Sequence, residues 1–292
     1  MSIILDLFRL AWAIYWLVGA ALLAWVVWRA PKPWQKATGA ALVLFVFGYF
    51  PVKWGIEDKA RREALIARNN AIKVHFEKRC KEDARITIHR VVEHTDGILV
   101  MRPRKRATDR ELEDQYWMGD PYGYSESEAE RPQSLLFDSS IDSAGRPRPK
   151  PVPGYEYVEV RIAPGPDNPD GNKTVRCTRD GPNEPDNQKT KTEISEKAIS
   201  RYGFDWEDIS TEEDRKYWVA GGRTRIFDLR SGAVIAERIG YLVDREQGGR
   251  VGGRSWLFAS AVACPPFTNV RTKTLDLLAA VVPSARESRH GK

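Results

Sequence analysis

Two uncharged apolar runs near the start of the chain constrain its fold more than any other feature. Residues 10–28 read LAWAIYWLVGAALLAWVVW, and a helix of this length is about 28 Å long, close to the hydrocarbon thickness of a bilayer. A second uncharged run covers 37–52 and extends to residue 54, because Lys53 can reach the interface with its ammonium group. The sequence predicts a two-helix transmembrane hairpin over 1–55, with spans at about 10–28 and 37–54.

The turn between the spans carries most of the residues expected at the membrane–water interface. Six of the ten tryptophans fall within the first 54 residues, and Trp collects at such interfaces because its ring is apolar while its N–H group needs a polar partner. Pro31 and Pro33 end the first helix and stiffen the turn. A cleaved signal peptide and a buried soluble hairpin are the alternatives to two spans. The expected interface residues are Trp28, Arg29, Lys32, Trp34, Lys36 and Trp54.

The charges around the spans give two opposite indications of the side of the membrane on which the rest of the chain lies. Short cytoplasmic loops are enriched in Lys and Arg, so the three cations of the turn favour a cytoplasmic turn with both termini outside. The five cations at 53–72 favour the opposite orientation, although the rule is weak for long segments. We expect a bacterial inner-membrane protein with a periplasmic domain, and we keep a cytoplasmic domain as the alternative.

The cysteines give a second indication of the compartment. The chain has three of them, Cys80, Cys177 and Cys264, in no spacing that suggests a metal site. One disulfide with one free thiol suits an oxidising compartment, whereas three buried thiols suit a cytosolic one. We expect a disulfide between Cys177 and Cys264, because both lie in strand-like surroundings.

A charged helical segment follows the second span. Small residues recur at helical spacing on one face of 56–81, and pairs such as Glu57 with Arg61 support a helix. This pattern predicts a helical stalk over 56–84 that continues from the second span. The stripe of small residues is expected to pack against the chain's own domain, and a homo-oligomer formed through the spans or the stalk is the alternative.

Residues 85–283 are predicted to form a soluble α+β domain, mostly antiparallel β-sheet with long loops. Residues 102–154 read as a loop and linker that opens with the solvated charge run RPRKR, and 284–292 read as a disordered tail. The patterns predict two strands around a turn at 95–97, a strand at 155–163, a hairpin around 228–232, a buried strand at 255–264 and a helix at 274–282.

No cofactor motif stands out in the sequence. GGRVGGRS at 248–255 differs by one residue from a phosphate-binding P-loop, but Arg254 replaces the Lys, so a flexible connection between strands is favoured. DNPDGNKT at 167–174 resembles half a calcium loop, but it lacks the Glu of the twelfth position, so a surface loop is favoured. We therefore expect no cofactor and no metal ion.

Two groups of ionisable residues are candidates for catalytic residues scattered through the sequence. His89 and His94 are five residues apart and share no helix face. Six acids lie within 205–214, and paired carboxylates can perform acid–base chemistry, but a solvated acidic face near a helix start is favoured. The net charge after residue 54 is only +2, so no single-sign field would attract phosphates, and we expect no nucleic-acid partner.

Three short segments carry a resemblance to other proteins: FEKRC at 76–80, YWVAGGRTRIFDLRSG at 217–232 and CPPF at 264–267. They resemble uncharacterised bacterial membrane-anchored proteins with an extracytoplasmic domain. The resemblance covers the helix after the spans and the last third of the chain, and it implies no activity.

Three functions stay open on the sequence alone. The favoured hypothesis is a non-catalytic module, anchored in the bilayer, that binds another envelope protein as an accessory, assembly or immunity protein would. The first alternative is a membrane-anchored enzyme with catalytic residues scattered through the sequence, which a pocket that brings a His within about 3 Å of one of the acids at 205–214 would support. The second alternative is a cytosol-facing membrane regulator.

Overall fold

A computed structural model describes residues 2–127, 132–141, 147–181, 189–249, 253–259, 262–266 and 274–286. The chain divides into two compact units, Met1–Asn70 and Ala71–Lys292.

Two long helices begin the chain, α1 (Ser2–Arg29) and α2 (Pro33–Glu82). Both are long and apolar enough to cross a membrane, with mean hydropathies of 2.0 and 1.5 in their apolar parts. Helix α2 passes through Pro51 without ending, and it includes most of the segment predicted as a stalk. Its last turns, from Ala71 onward, belong to the second unit.

The two helices contact each other closely in the first unit. The Tyr15 hydroxyl donates a hydrogen bond of 2.7 Å to the carbonyl oxygen of Phe47, and the two rings lie 5.0 Å apart. A methyl group added at Gly19 would lie only 2.8 Å from the Phe47 ring. Small residues at such positions let two helix backbones approach each other, as is common among membrane helices.

Helix α1 carries four tryptophans: Trp12, Trp16, Trp25 and Trp28. The rings of Trp12 and Trp54 are 6.2 Å apart. Trp28 and Trp34 flank the turn, and their side chains are 81% and 61% exposed. At 1.5 Å per residue, Trp12 and Trp28 are separated by about 24 Å along the helix. Of the other predicted interface residues, Arg29 lies at the end of α1, Lys32 lies in the turn and Lys36 lies in the first turn of α2.

The second unit contains a large, mostly antiparallel sheet, which confirms the predicted fold class at that level. Nine of the described strands form the sheet in the order β1-β10-β9-β8-β2-β5-β6-β7, with β11 also paired to β10, and β3 pairs only with β4. Only β2 is parallel to its neighbours, β5 and β8, among the described strands. The strands are β1 (Arg85–Ile88), β2 (Gly97–Val100), β3 (Ser139–Ile141), β4 (Pro147–Val152), β5 (Tyr157–Arg161), β6 (Thr174–Arg179), β7 (Thr190–Ser195), β8 (Tyr202–Asp208), β9 (Val219–Asp228), β10 (Ala233–Val243) and β11 (Ala263–Cys264).

Helices cover one face of the sheet, and the last turns of α2 pack against part of the other face at Ile239. Leu277 and Leu278 are fully buried in a cluster with Phe204 and Ile226 of that face. Tyr122 lies over Gly222, where an added methyl group would come within 2.6 Å of its ring. The helices of the second unit are α3 (Asp109–Glu113), α4 (Pro121–Ser127), α5 (Pro132–Leu136), α6 (Glu212–Lys216), α7 (Ser255–Phe258) and α8 (Thr274–Val281).

The hairpin around 228–232 is confirmed. Strands β9 and β10 pair from Asp228 and Ala233 onward, and the Gly232 N–H group donates to the Asp228 carbonyl at 2.8 Å. Gly232 has φ +70°, the left-handed conformation that glycine adopts at no steric cost. The helix predicted at 274–282 and the strand predicted at 155–163 are also present, as α8 and β5.

Two strand predictions need correction. The two strands predicted around 95–97 are present as β1 and β2, but they do not pair with each other, because β1 joins β10 while β2 lies between β5 and β8. The segment between them is bound instead to the C-terminal part of the chain, for example by the Val92 N–H group, which donates to the Val281 carbonyl at 2.9 Å. The strand predicted at 255–264 is helix α7 followed by the short strand β11, with Trp256 fully buried.

The region predicted as a loop and linker, 102–154, contains regular structure. It forms α3, α4 and α5, and the proline-rich stretch from residue 147 pairs with β3 as β4. Residues 142–146 of the predicted linker lie outside the described residues. The start of the predicted disordered tail is also ordered, since the Ser284 hydroxyl donates to the Gly154 carbonyl at 2.7 Å. Residues 287–292 of that tail lie outside the described residues.

Candidate functional site

The last turns of α2 are bound to α6 by a group of charged residues that we call the helix clamp: His75, Arg79, Thr211 and Asp214. Arg79 donates two hydrogen bonds of 2.8 Å to the two carboxylate oxygens of Asp214. His75 Nε2 lies 2.6 Å from Oδ1 of the same carboxylate. Thr211 caps α6 in a capping box with Asp214, so the short helix fixes the carboxylate that α2 binds.

The helix clamp keeps Asp214 ionised. Burial by itself would raise the pKa of Asp214, but hydrogen bonds from Arg79, Thr211 and His75 lower it to about 2. The hydrogen bond with Asp214 correspondingly raises the pKa of Arg79. Since the Asp214 side chain is fully buried, its negative charge depends on these donors.

An apolar layer and a disulfide complete the attachment of α2. Ile72 is buried in a cluster with Val219 and Ile239, and Phe76 packs against that cluster. Cys80 forms a disulfide with Cys264 of β11, with the two Cα atoms 5.7 Å apart.

The predicted pairing of Cys177 with Cys264 is therefore wrong. Cys177 is a buried free thiol on β6. Strand β11 pairs with β10, and β6 lies five strands from β10 across the sheet. At about 4.8 Å per strand this separation is about 24 Å, far beyond the Cα distance of about 7 Å that a disulfide tolerates. Burial raises the pKa of the Cys177 thiol.

The sheet face that bears Ile239 carries a ladder of ion pairs that we call the charged face. Arg225 donates to both carboxylate oxygens of Asp205 at 3.1 and 3.0 Å. Arg223 donates to Glu207 at 3.2 Å, and it lies 3.5 Å from Glu237. The six residues of the charged face are Arg85, Asp205, Glu207, Arg223, Arg225 and Glu237.

Strand register explains the charged face. Asp205 lies opposite Arg225, and Arg225 lies opposite Glu237, so acid and Arg alternate across β8, β9 and β10. Opposite charges directly across antiparallel strands stabilise the pairing. Arg223 lies opposite Ile239, which is buried in the cluster with Ile72 of α2, so the charged face borders the helix clamp. The side chains of Asp205, Glu207, Arg223 and Arg225 stay 18–42% exposed.

A second group of charges is buried on the sheet face opposite the charged face. Arg104 donates to the Asp120 carboxylate at 3.0 and 2.8 Å, and Arg215 donates to Asp208 at 2.6 Å. Burial raises the pKa of Asp120, although Arg104 opposes that rise, and burial lowers the pKa of Arg215. The charge run RPRKR was predicted to be solvated, and this is wrong for Arg104, whose side chain is only 2% exposed.

Replacing Arg104 by Met is expected to lower the free energy of unfolding by about 3–5 kcal/mol, because it leaves the Asp120 carboxylate buried without its main partner. Arg106→Met is the matched control, since Arg106 is exposed in the same charge run and its loss should change stability by no more than about 0.5 kcal/mol. Chemical denaturation of the full chain in detergent, followed by tryptophan fluorescence, measures both. Equal stabilities of the two variants would contradict the buried pair.

The catalytic candidates from the sequence do not come together. His89 and His94 are exposed, and neither contacts an acid of 205–214 among the described residues. The six acids of 205–214 do not form one solvated face, so that prediction is wrong for all but two of them. Asp205 and Glu207 pair with Arg on the charged face, Asp208 binds Arg215, and Asp214 lies in the helix clamp. Only Glu212 and Glu213 are exposed without such pairing.

The sequence reasoning missed His75 as a partner of Asp214. A usable signal was present, because His75 and Arg79 are four residues apart and share a helix face with Ile72. The described residues provide no hydroxyl or thiol nucleophile that binds His75. Asp214 is also neutralised by Arg79, so the arrangement holds a helix in place rather than activating a nucleophile.

The segment that resembles a P-loop and the segment that resembles half a calcium loop make hydrogen bonds within the fold through their described residues. Arg254 Nε donates to Asp109 at 2.8 Å, and the helix that follows, α7, has four residues. Residues 250–252 lie outside the described residues. The Asn168 side-chain amide donates to the Ile162 carbonyl and its oxygen accepts from the Lys173 N–H group, which closes a turn.

Within the described ranges, no group of three or more His, Cys, Asp or Glu residues could hold a metal ion. The chain matches no protein-family model, no curated protein and no solved structure.

Proposed function

We propose that this chain is a membrane-anchored, non-catalytic bacterial envelope protein whose folded unit binds another protein through the charged face. The observation that carries the proposal is the half-exposed charged face itself, which lies beside the clamped end of α2. An accessory, assembly or immunity protein would have this organisation.

Two features support a transmembrane hairpin as the anchor. Helices α1 and α2 have the length and hydropathy of spans, and they contact each other at Tyr15 and Phe47. Trp12 and Trp28 lie towards the two ends of the uncharged run at 10–28, about 24 Å apart by helical rise, compared with about 30 Å for a hydrocarbon core. Trp28 and Trp34 then lie at one interface, while Trp12 and Trp54 lie towards the other.

The disulfide supports a folded unit outside the cytoplasm. A bond between Cys80 and Cys264 persists in oxidising compartments and is rare in the cytosol. The cations of the turn between the helices favour the same orientation, because short cytoplasmic loops are enriched in Lys and Arg. The domain is thus proposed to be periplasmic.

The charged face suits protein binding better than catalysis. Its carboxylates are paired with guanidinium groups, so no free acid or base is presented to a substrate. Arg is enriched where protein interfaces derive their binding energy, and a flat array of fixed charges gives specificity and faster association. A partner with the complementary pattern of acids and Arg would fit it.

Inverting the charged face as a whole is expected to abolish partner binding while the fold is kept. The variant carries Arg85→Glu, Asp205→Arg, Glu207→Arg, Arg223→Glu, Arg225→Asp and Glu237→Arg. The cross-strand pairs of residue 225 with both 205 and 237 are then retained with opposite polarity, so the sheet stays stable and only the pattern shown to a partner changes. The matched control inverts a pair outside the charged face, Lys173→Glu with Glu196→Lys, which lie 3.3 Å apart in the native chain.

Affinity purification of the full chain from native membranes, with quantitative mass spectrometry, measures the result. We expect one protein to co-purify with the wild type and with the control, and to be lost by at least tenfold in the inverted variant. Equal recovery in all three chains would contradict binding through the charged face. A hydrolytic or transferase activity of the purified chain that is lost in His75→Gln would favour the enzyme alternative instead.

A further inference from the structure

Strand β7 forms an edge of the large sheet, and no described strand pairs with its outer side. It pairs with β6 on one side only among the described strands. Its four central residues, from Lys191 to Ile194, are all exposed, and the Ile194 side chain is 71% exposed. Because an edge strand presents unpaired N–H and C=O groups, it is a ready template for another strand.

We infer that β7 pairs with β7 of a second copy of this chain, in an antiparallel arrangement centred on Thr192. In that register Lys191 lies opposite the partner's Glu193, and Glu193 lies opposite the partner's Lys191. The two pairs share one sheet face, because residues two apart in a strand point the same way. Thr190 lies opposite the partner's Ile194 on the other face, a pair of β-branched residues that favours strand structure.

The charge pattern selects this register over its neighbours. Centring the pair on Glu193 would place two carboxylates opposite each other, and centring it on Lys191 would do the same with two ammonium groups. Like charges directly opposite destabilise a strand pair. A register centred between Thr192 and Glu193 would place Lys191 opposite Ile194. Of these four registers, only the one centred on Thr192 therefore forms opposite-charge pairs between residues of β7 without placing like charges opposite each other.

The existing ladder of β5, β6 and β7 extends into this contact. Glu159 lies opposite Arg176 and Arg176 lies opposite Glu193, which accepts a hydrogen bond of 3.0 Å from Arg176. The partner's Lys191 would continue the alternation of acid and base across the junction. The pairing is separate from the charged face, which lies on β1, β8, β9 and β10.

Cysteine cross-linking in the full chain tests the inference. Thr192→Cys would place two thiols opposite each other at the two-fold axis, within disulfide range. Thr190→Cys is the matched control, because the same register separates its two thiols by about 14 Å. All variants carry Cys177→Ala, because Cys177 is a free thiol directly opposite Thr192 on β6 and could otherwise pair with the new thiol, while the other two native cysteines form a disulfide.

Membranes that contain each variant are treated with a mild oxidant, and dimers are counted on non-reducing gels. We expect a covalent dimer with Thr192→Cys, at least tenfold less with Thr190→Cys, and at least fivefold less when Lys191→Glu is added to Thr192→Cys. Equal cross-linking at both positions, no cross-linking at Thr192, or a cross-link to a chain of different mass would overturn the inference.

Lys on an edge strand can also act as a block against pairing, and one further variant separates the two roles. If Lys191 joins two copies, Lys191→Thr in the Thr192→Cys background should lower the yield of dimer by at least twofold. A higher yield would show that Lys191 blocks pairing, and it would overturn the inference.

Discussion

Replacing Cys80 by Ser is expected to lower the free energy of unfolding by about 5 kcal/mol under oxidising conditions. The reason is the size of the loop that the disulfide closes, since Cys80 and Cys264 are 184 residues apart. The loop-entropy relation gives about 5 kcal/mol for such a loop. Because most of the folded unit lies inside the loop, no other covalent constraint limits its unfolded chain to the same extent among the described residues.

Cys177→Ala is the matched control for this prediction. It removes a buried thiol from the core but leaves the disulfide intact, so we expect a smaller loss of about 1 kcal/mol. Chemical denaturation of the detergent-solubilised full chain, with and without reductant, measures both effects. Reductant should weaken the wild type and Cys177→Ala but leave Cys80→Ser unchanged. A wild type that is insensitive to reductant would contradict the bond.

Asp214→Ala is expected to lower the free energy of unfolding by about 3–4 kcal/mol. It removes the buried carboxylate that both His75 and Arg79 bind, together with the capping box of α6. Glu213→Ala is the control, since Glu213 is an exposed acid of the same helix and its loss should cost no more than about 0.5 kcal/mol.

The pH dependence of stability gives this prediction a specific signature. The pKa of Asp214 is lowered from 3.8 to about 2 in the folded chain, so the unfolded chain binds this proton more readily. The stabilisation from Asp214 is therefore complete above about pH 4, and it is lost as the pH falls from 3.8 through about 2. Denaturation curves between pH 2 and 5 should converge for wild type and Asp214→Ala at the acid end. A constant difference across that range would contradict the assigned role.

The sequence was informative where one residue pattern decides one element. The turn from Asp228 to Gly232 requires a left-handed residue at its end, and glycine supplies it, so the hairpin of β9 and β10 could be predicted. Length and hydropathy identified the two apolar helices. The mixed class of helix and mostly antiparallel sheet also followed from such local patterns.

The remaining features depend on strand order, which local patterns do not encode. Cys177 and Cys264 both lie in strands, as expected, but the sheet places their strands far apart. The acids at 205–214 read as one cluster, yet strand alternation and the start of α6 separate them into four environments. Arg104 appeared solvated because its neighbours are charged, while its actual partner, Asp120, lies in a segment predicted to be a loop.

Disulfide mapping on the protein from native membranes tests the central claim most directly, because it reports on the fold and on the compartment together. Free thiols are first blocked with an alkylating agent, and the chain is then digested without reduction and analysed by mass spectrometry. We predict one cross-linked peptide pair that contains Cys80 and Cys264, together with an alkylated Cys177. Three alkylated cysteines would contradict a folded unit outside the cytoplasm, and a pair that contains Cys177 would contradict the strand order on which the helix clamp and the charged face depend.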